Sequence, residues 1–119
     1  MSYTVSDPVK DNVTGLRWQR QAPDGLFTWD EAKSYCAGVE AGGLSGWRLP
    51  TRIELVTLLD PSNSDNRIDT EAFPRSPHED FWSSSSCVGF AGQAWYVNFS
   101  HGGVVYAEIT AKKRIRCVR

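Results

Sequence analysis

The chain has 119 residues, of which 40% are hydrophobic and 23% are charged, and its formal net charge is −1. A chain of this length forms one domain around one core, so we expect a single domain over residues 1–119. The near-neutral charge argues against nucleic-acid binding, which requires a strong basic bias. No apolar run approaches the roughly 20 residues that cross a bilayer, and the first residues lack the pattern of a signal peptide, so we expect no membrane insertion.

The N-terminal part of the chain predicts little regular structure. A turn at residues 12–15 precedes a short strand in which Leu16 and Trp18 share one face. Residues 21–26 contain Pro23 and an Asp-Gly pair, which is typical of a loop.

A capping box marks the first helix. Thr28 and Glu31 have the spacing at which each side chain satisfies a backbone amide left unpaired at a helix N-terminus. We expect the helix to end near residue 40, because Gly42 and Gly43 follow. Its apolar face has spacings of three and four residues and comprises Trp29, Ala32, Cys36 and Val39.

A second capping box, Thr51 with Glu54, predicts a second helix that ends at Asp60 and Pro61. We expect three apolar residues along its buried side and two more that widen the stripe, namely Ile53, Val56 and Leu59 with Leu55 and Leu58.

Residues 62–77 are polar and predict a long surface loop that Ile68 and Phe73 anchor. The loop carries oxygen ligands of the kind that calcium prefers, including Asp65, Asn66 and Asp69. Asp and Asn also form turns, so a turn-forming role is the alternative. No other metal or cofactor is expected.

The C-terminal part predicts an antiparallel meander. A strand at 81–86 is followed by the alternating apolar series Trp95, Val97 and Phe99, a turn at 101–103 and strands at 104–109 and 114–119. Two helices before a meander are typical of an α+β fold, in which both helices pack on a small antiparallel sheet. We assign Trp29, Trp47 and Trp95 to the core.

Three cysteines leave the disulfide pattern open. Cys36 on the inner helix face and Cys117 on the inner face of the last strand can pair, but two free buried thiols are equally compatible with the sequence. For Cys87 the alternatives are an exposed thiol, a buried small hydrophobic residue or an intermolecular bridge. The absence of a CxxC pair argues against a zinc ribbon and a thioredoxin-type site.

A cluster of cations near the C-terminus is the first candidate binding surface. Strand alternation places Arg114 and Arg116 on one face, where guanidinium groups can grip sulfate or carboxylate groups. The whole cluster comprises Lys112, Lys113, Arg114, Arg116 and Arg119. The alternative is a charged outer face that protects an edge strand.

The polar residues of the strand before the hairpin turn are the second candidate surface. They are Asn98, Ser100 and His101, with Tyr96 beside them and Trp82 or Tyr106 as stacking platforms. Aromatic residues in a sheet are otherwise core residues. No catalytic set accompanies them, because His78 and Glu79 lack the HExxH spacing and no serine has a nucleophile elbow.

Several phrases of the sequence together resemble the Lcl C-terminal domain family, a bacterial module. They are residues 11–20, Thr28-Trp29 with Ala32 and Cys36, and residues 46–51, 81–85, 94–102 and 116–119. The resemblance implies a C-type-lectin-like fold, a disulfide between Cys36 and Cys117, and a setting in secreted or cell-surface proteins. Because the namesake adhesin binds sulfated glycosaminoglycans, the resemblance also implies a non-catalytic adhesion module whose partner is a glycan or another surface polymer.

Some features depart from the family or leave alternatives. Arg17 stands where the family carries a hydrophobic residue, Cys87 is additional, and the calcium-dependent sugar motifs of animal C-type lectins are absent. A protein–protein interaction or self-association domain is the alternative function. A thiol-dependent enzyme with Cys87 as its nucleophile is a remote one, suggested by the fold that formylglycine-generating enzymes share.

Overall fold

The computed structural model describes residues 2–62 and 67–119, and it confirms an α+β architecture. One antiparallel sheet comprises β1 (Tyr3–Thr4), β2 (Val9–Asp11) and β3 (Arg17–Trp18), and the other comprises β4 (Asp80–Ser86), β5 (Gln93–Asn98) and β6 (Val104–Glu108). Two α-helices lie between the sheets in sequence, α1 (Trp29–Gly38) and α2 (Arg52–Val56). Among the described residues, no helix is long and apolar enough to cross a bilayer.

Both predicted capping boxes are present, and each fixes the start of its helix. Thr28 accepts a hydrogen bond from the Glu31 amide while the Glu31 carboxylate accepts one from the Thr28 amide. Thr51 and Glu54 make the same reciprocal pair. A box needs only two residues three positions apart, so the local sequence is sufficient to specify it.

The buried side of α2 differs from the prediction. Leu55 and Leu58 are fully buried, whereas Ile53 is 73% exposed and Val56 is also exposed. The helix is short, and it contacts the core mainly through Leu55. Since residues two positions apart point to opposite sides of a helix, Ile53 must face away from the core.

The last segment of the chain is extended but does not form the predicted strand. Instead it makes isolated bridges to different partners: Lys113 pairs with Phe27, Arg114 with Phe81, and Val118 with both Trp18 and Arg48. Because the partner changes every few residues, no regular ladder develops. The segment links β4, the loop before α1 and the first sheet.

The disulfide that the resemblance implies is present. Cys36 on α1 and Cys117 in the last segment are bonded across a separation of 81 residues, and both are fully buried. Cys87 is a free cysteine and 8% exposed. The buried interpretation of Cys87 is therefore confirmed.

Two hydrophobic clusters lie on opposite faces of the second sheet. The first contains Leu55, Phe81 and Val97 beneath α2, and the second contains Cys36, Trp82 and Cys117 beneath α1. The predicted core tryptophans divide between positions: Trp47 is buried and Trp29 packs partly buried against the second cluster, but Trp95 is only half-buried. The core assignment of Trp95 is wrong, because Trp95 belongs to neither cluster and packs instead against Tyr106 and the Arg52 guanidinium at the start of α2.

The loop anchors Ile68 and Phe73 are buried in the first cluster, as predicted. Asp65 and Asn66, two residues of the predicted calcium site, lie outside the described residues.

Candidate binding surfaces

A shallow cleft of about 300 Å³ brings several predicted binding residues together. Asn98, Lys112 and Lys113 line it with acidic neighbours that the sequence analysis did not assign to a binding site. We call it the polar cleft, lined by Leu26, His78, Glu79, Asp80, Asn98, Lys112 and Lys113. It forms where the start of β4, the end of β5 and the beginning of the last segment meet.

Most cations around the polar cleft are already paired. The Lys113 ammonium lies 3.1 Å from the Asp80 carboxylate and 3.9 Å from the centre of the Tyr96 ring. The Arg114 Nε lies 2.8 Å from the Glu79 carboxylate. Burial and then the negative charge of Asp80 raise the pKa of Tyr96. Lys112 is exposed and has no salt bridge within the described chain, which leaves it as the cation most available to a ligand.

Asn98 is held by internal hydrogen bonds. Its amide nitrogen donates to Asp80, and its side-chain oxygen accepts from the backbone amides of Ser100 and His101. The His101 Nδ1 accepts from the Gly103 amide. These contacts shape the turn between β5 and β6, and a binding role for Asn98, Ser100 and His101 stays a prediction.

Arg116 does not lie on the outer cationic face that strand alternation predicted. It is 1% exposed, and its guanidinium donates to the carbonyls of Gln19 and Arg20 and to the Ser76 hydroxyl, at 2.6, 2.8 and 2.7 Å. The same group lies 4.7 Å from the centre of the Phe73 ring. Burial lowers the pKa of Arg116. The prediction fails because the last segment is covered on both sides, so alternation does not separate an inner from an outer face.

Asp69, the described member of the predicted calcium set, has a local role. Its carboxylate accepts hydrogen bonds from the amides of Glu71 and Ala72, at 2.9 and 3.1 Å, which is the geometry of a turn. Within the described ranges, no three His, Cys, Asp or Glu side chains form a metal-binding group. Calcium binding by this loop therefore stays a prediction.

A second surface, which the sequence analysis missed as a unit, is an aromatic cleft of about 450 Å³ beside α2. We call it the aromatic groove, defined by Arg52, Phe90, Trp95 and Tyr106. Tyr106 is the central ring: it meets Trp95 edge to face at 5.3 Å and stacks on Phe90 at 5.6 Å between ring centres. The Arg52 guanidinium lies 4.6 Å from the centre of the Trp95 ring.

Strand pairing explains how the aromatic groove forms. Trp95 and Tyr106 are directly opposite on β5 and β6. They form a non-hydrogen-bonded pair, the arrangement in which antiparallel side chains come closest. Phe90 extends from the turn between β4 and β5 and is 53% exposed, and Tyr106 is 43% exposed. The turn predicted at 101–103 would have placed Trp95 opposite Ile109, whereas the Asn98 amide bonds to the Gly103 carbonyl and the turn is residues 99–102, so the sequence did not predict this pair.

The two aromatic residues proposed as stacking platforms have different environments. Tyr106 is in the aromatic groove. Trp82 is fully buried, and its indole donates to the Phe27 carbonyl at 2.9 Å. Trp82 is therefore a core residue, and its assignment as a platform is wrong.

Cys87 lies in the wall of the aromatic groove and also borders a cleft of about 440 Å³ on the other side of the 87–92 turn. Its backbone amide donates to the Gln93 carbonyl, which fixes the residue at the base of the turn. The thiol is nearly covered.

Comparison with known proteins identifies the family. The family model described as the Lcl C-terminal domain matches residues 7–119, almost the whole chain. No curated protein has a significant sequence match to the chain. The capping boxes, the disulfide and the second sheet all fall within the matched range, and the chain therefore belongs to the Lcl C-terminal domain family.

Proposed function

We propose that the chain is a non-catalytic ligand-binding or adhesion module of an exported bacterial protein, and that it binds a glycan or sulfated polysaccharide in the aromatic groove. The observation that carries this proposal is the ring cluster of Phe90, Trp95 and Tyr106 beside the Arg52 guanidinium, in which Phe90 and Tyr106 are exposed. Family membership supports a binding role only at the level of the domain type.

The aromatic groove has the surface chemistry that sugar rings require. Tyr106 and Phe90 expose about half of their surface, and an exposed aromatic face gains free energy when an apolar surface covers it. The C–H face of a pyranose ring is such a surface. The hydroxyl groups at the edge of the sugar ring can then form hydrogen bonds with Ser85 and Ser86, which line one side of the cleft.

Arg52 adds a charge preference to the aromatic groove. A guanidinium can donate two parallel hydrogen bonds to a sulfate or carboxylate group while its plane lies on an aromatic ring. Its position over Trp95 holds the cation at the edge of the cleft. We therefore favour an acidic or sulfated sugar over a neutral one.

The polar cleft is a weaker candidate for the same ligand. Lys113 and Arg114 are each paired with a carboxylate, so a polyanion would have to displace those partners. Lys112 can contribute long-range attraction without such a loss.

The exported setting and the detailed fold also belong to this proposal. A buried disulfide is compatible with an oxidising compartment outside the cytoplasm. The covalent link between α1 and the last segment, together with the order of helices and meander, supports a C-type-lectin-like fold.

We propose no catalytic step. The reactivity of the Cys87 thiol tests the alternative of a thiol-dependent enzyme. A reactive thiol needs access to solvent, whereas Cys87 is 8% exposed. We expect iodoacetamide at neutral pH to modify Cys87 more slowly than it modifies free cysteine. Faster modification would support the thiol-dependent alternative.

The proposed function can be tested with a glycan array that includes heparin fragments. We expect Tyr106→Ala to lower the array signal by up to about tenfold, since an aromatic contact contributes roughly 0.5 to 1.5 kcal/mol. Val13→Ala is the matched control, because Val13 is 79% exposed in the turn between β2 and β3 and is remote from the rings in sequence.

A chelator arm separates this mechanism from calcium-dependent sugar binding. We expect EDTA to leave the signal unchanged. If Tyr106→Ala bound glycans as well as the parent chain, the aromatic groove would not be the site. If no glycan bound the parent chain, the proposed ligand class would be wrong.

A further inference from the structure

The outer edge of β6 is open in the described chain. The second sheet has the order β4-β5-β6, so β6 has a paired neighbour on one side only. Three of its residues are more than one third exposed: Val104 by 36%, Val105 by 39% and Tyr106 by 43%. By contrast, the outer edge of β4 is partly covered, because the last segment pairs with Phe81 there.

The pairing register shows which backbone groups face outward from β6. The Asn98 amide donates to the Gly103 carbonyl, and the Ile109 amide donates to the Gly92 carbonyl. Hydrogen-bonded pairs alternate along an antiparallel ladder. With the register Trp95↔Tyr106, the backbone groups of Val104, Tyr106 and Glu108 therefore point away from β5. Of these groups, the Glu108 carbonyl accepts from the Ala111 amide.

The sequence of β6 lacks the usual protection of an edge strand. Natural edge strands carry proline, lysine, an inward charge or a bulge that prevents pairing with another chain. Residues Val104, Val105, Tyr106 and Ala107 are uncharged and have side chains typical of strands, apart from Ala107, and the only charge of β6 is Glu108 at its end. Its pairing with β5 is regular over its full length.

We infer that β6 is a self-association edge that pairs antiparallel with β6 of a second copy of this chain, centred on Tyr106. In this register the two Tyr106 residues exchange both backbone hydrogen bonds across a two-fold axis. Val104 of each copy is opposite Glu108 of the other, and Val105 is opposite Ala107. The second sheet of one copy and the second sheet of the other then form one continuous sheet.

Self-complementarity is the reason to choose a second copy over an unrelated strand. The outward groups of β6 include a donor and an acceptor on its central residue, so a two-fold axis through Tyr106 satisfies both at once. The single charge is at the strand end and faces Val104 of the other copy, so no like charges are opposed. The pairing also places the two aromatic grooves on the same face of the joined sheet, side by side.

This inference goes beyond the proposed function, and a proline variant tests it without removing the rings of the aromatic groove. Val104→Pro removes an outward amide and adds a ring to the edge, while its bonding to β5 needs no amide from residue 104. We expect the parent chain to double its mass reversibly with concentration in light scattering. We expect Val104→Pro to remain monomeric and the matched control Val104→Thr, which keeps the amide, to associate.

A cysteine-mixing experiment tests the register and does not depend on the proline variant. In a Cys87→Ala background, the chain with Val105→Cys is mixed with the chain carrying Ala107→Cys and is oxidised. The proposed pairing places these two residues opposite each other in a non-hydrogen-bonded pair, so we expect a disulfide-linked dimer from the mixture at several times the yield from either variant alone.

The outcomes separate self-association from glycan binding. A monomeric parent chain at millimolar concentration, unchanged association of Val104→Pro, or equal cross-linking of each variant alone would overturn the pairing. The glycan signal of Val104→Pro reports on the aromatic groove alone, since Trp95 and Tyr106 are intact. For Val104→Pro, loss of association with a retained glycan signal supports both proposals. A parent chain that associates but binds no glycan overturns only the proposed function.

Discussion

The polar cleft and the aromatic groove lie at opposite ends of β5. They differ in how many of their side chains are already paired with other side chains of the protein. In the polar cleft, Lys113 and Arg114 are paired with Asp80 and Glu79. In the aromatic groove, Tyr106 and Phe90 contact each other but remain about half exposed. The difference shows that counting cations in the sequence overestimates the charge available to a ligand, because the fold pairs some of those cations with its own carboxylates.

The largest expected effect comes from the bond that holds the last segment against α1. In the chain-entropy model, a disulfide that closes a loop of about 80 residues stabilises the fold by about 4 to 5 kcal/mol. We expect replacement of Cys36 and Cys117 by alanine to lower the free energy of unfolding by up to this amount, measured by urea denaturation. Addition of reductant to the parent chain should approach the same value once the protein unfolds, and an effect below about 1 kcal/mol would contradict the prediction.

The next largest effect tests whether Arg116 is a structural residue. Arg116→Met retains much of the volume but leaves the carbonyls of Gln19 and Arg20 without their donor. We expect a loss of about 3 kcal/mol in the free energy of unfolding, because unpaired buried polar groups are costly. Lys112→Met is the matched control and should change stability by less than about 0.5 kcal/mol.

A smaller effect distinguishes two adjacent lysines of the polar cleft. Lys113 is 11% exposed in its side chain and lies against Tyr96 and Asp80, whereas Lys112 is exposed. We expect Lys113→Ala to lower stability by about 1 kcal/mol and Lys112→Ala to lower heparin retention at low salt with little effect on stability. If the two variants had equal stability and equal heparin retention, Lys113 would not be the structural lysine and Lys112 would not be the ligand-binding one.

The smallest effect concerns pH and the helix that supplies Arg52 to the aromatic groove. Hydrogen bonds from Arg48, at 2.6 Å, hold the pKa of Glu54 below its ordinary value. Because the pKa is lower in the folded state, the stabilisation is present at neutral pH and is lost as pH falls below about 4.5, the pKa of a free glutamate.

Glu54→Gln tests this dependence, since glutamine can still accept the Thr51 amide bond of the capping box. We expect a loss of about 0.5 to 1 kcal/mol at pH 7, as for a partly exposed ion pair, and a shallower decline of stability between pH 5 and 3. Denaturation curves across this range measure both. The pKa values of Glu31 and Asp60 are also lowered, so some acid dependence should persist in the variant.

Local features of the sequence predicted where both helices begin, but the predicted end of the second helix at Asp60 and Pro61 is wrong, since α2 ends at Val56. The pairs Thr28–Glu31 and Thr51–Glu54 each lie within one helical turn, so the start of each helix does not depend on distant segments. The alternation of the meander likewise predicted β5 and β6, because cross-strand partners are close in sequence. The strands β1 and β2 were not predicted, whereas β3, which is equally short, was predicted from Leu16 and Trp18.

Predictions failed where distant segments decide burial. Arg116 is enclosed by residues about 96 positions earlier in the chain, and no local pattern records that contact. Trp95 is partly exposed because it packs against Tyr106 and Arg52 outside both hydrophobic clusters, and the alternation of β5 does not show which of its apolar side chains other segments cover. The disulfide was implied by the family resemblance, while the residues themselves left it open.

The bridges of the last segment have a consequence for how the molecule folds. Arg119 exchanges backbone hydrogen bonds with Arg17, and Val118 exchanges them with Arg48. The first sheet and the region before α2 can therefore complete their hydrogen bonds only after residues 118–119 reach them. Contacts between such distant positions slow folding, because a long loop must close before they form. We therefore expect refolding on the timescale of milliseconds to seconds, and during synthesis the N-terminal half should stay open until its final partner emerges.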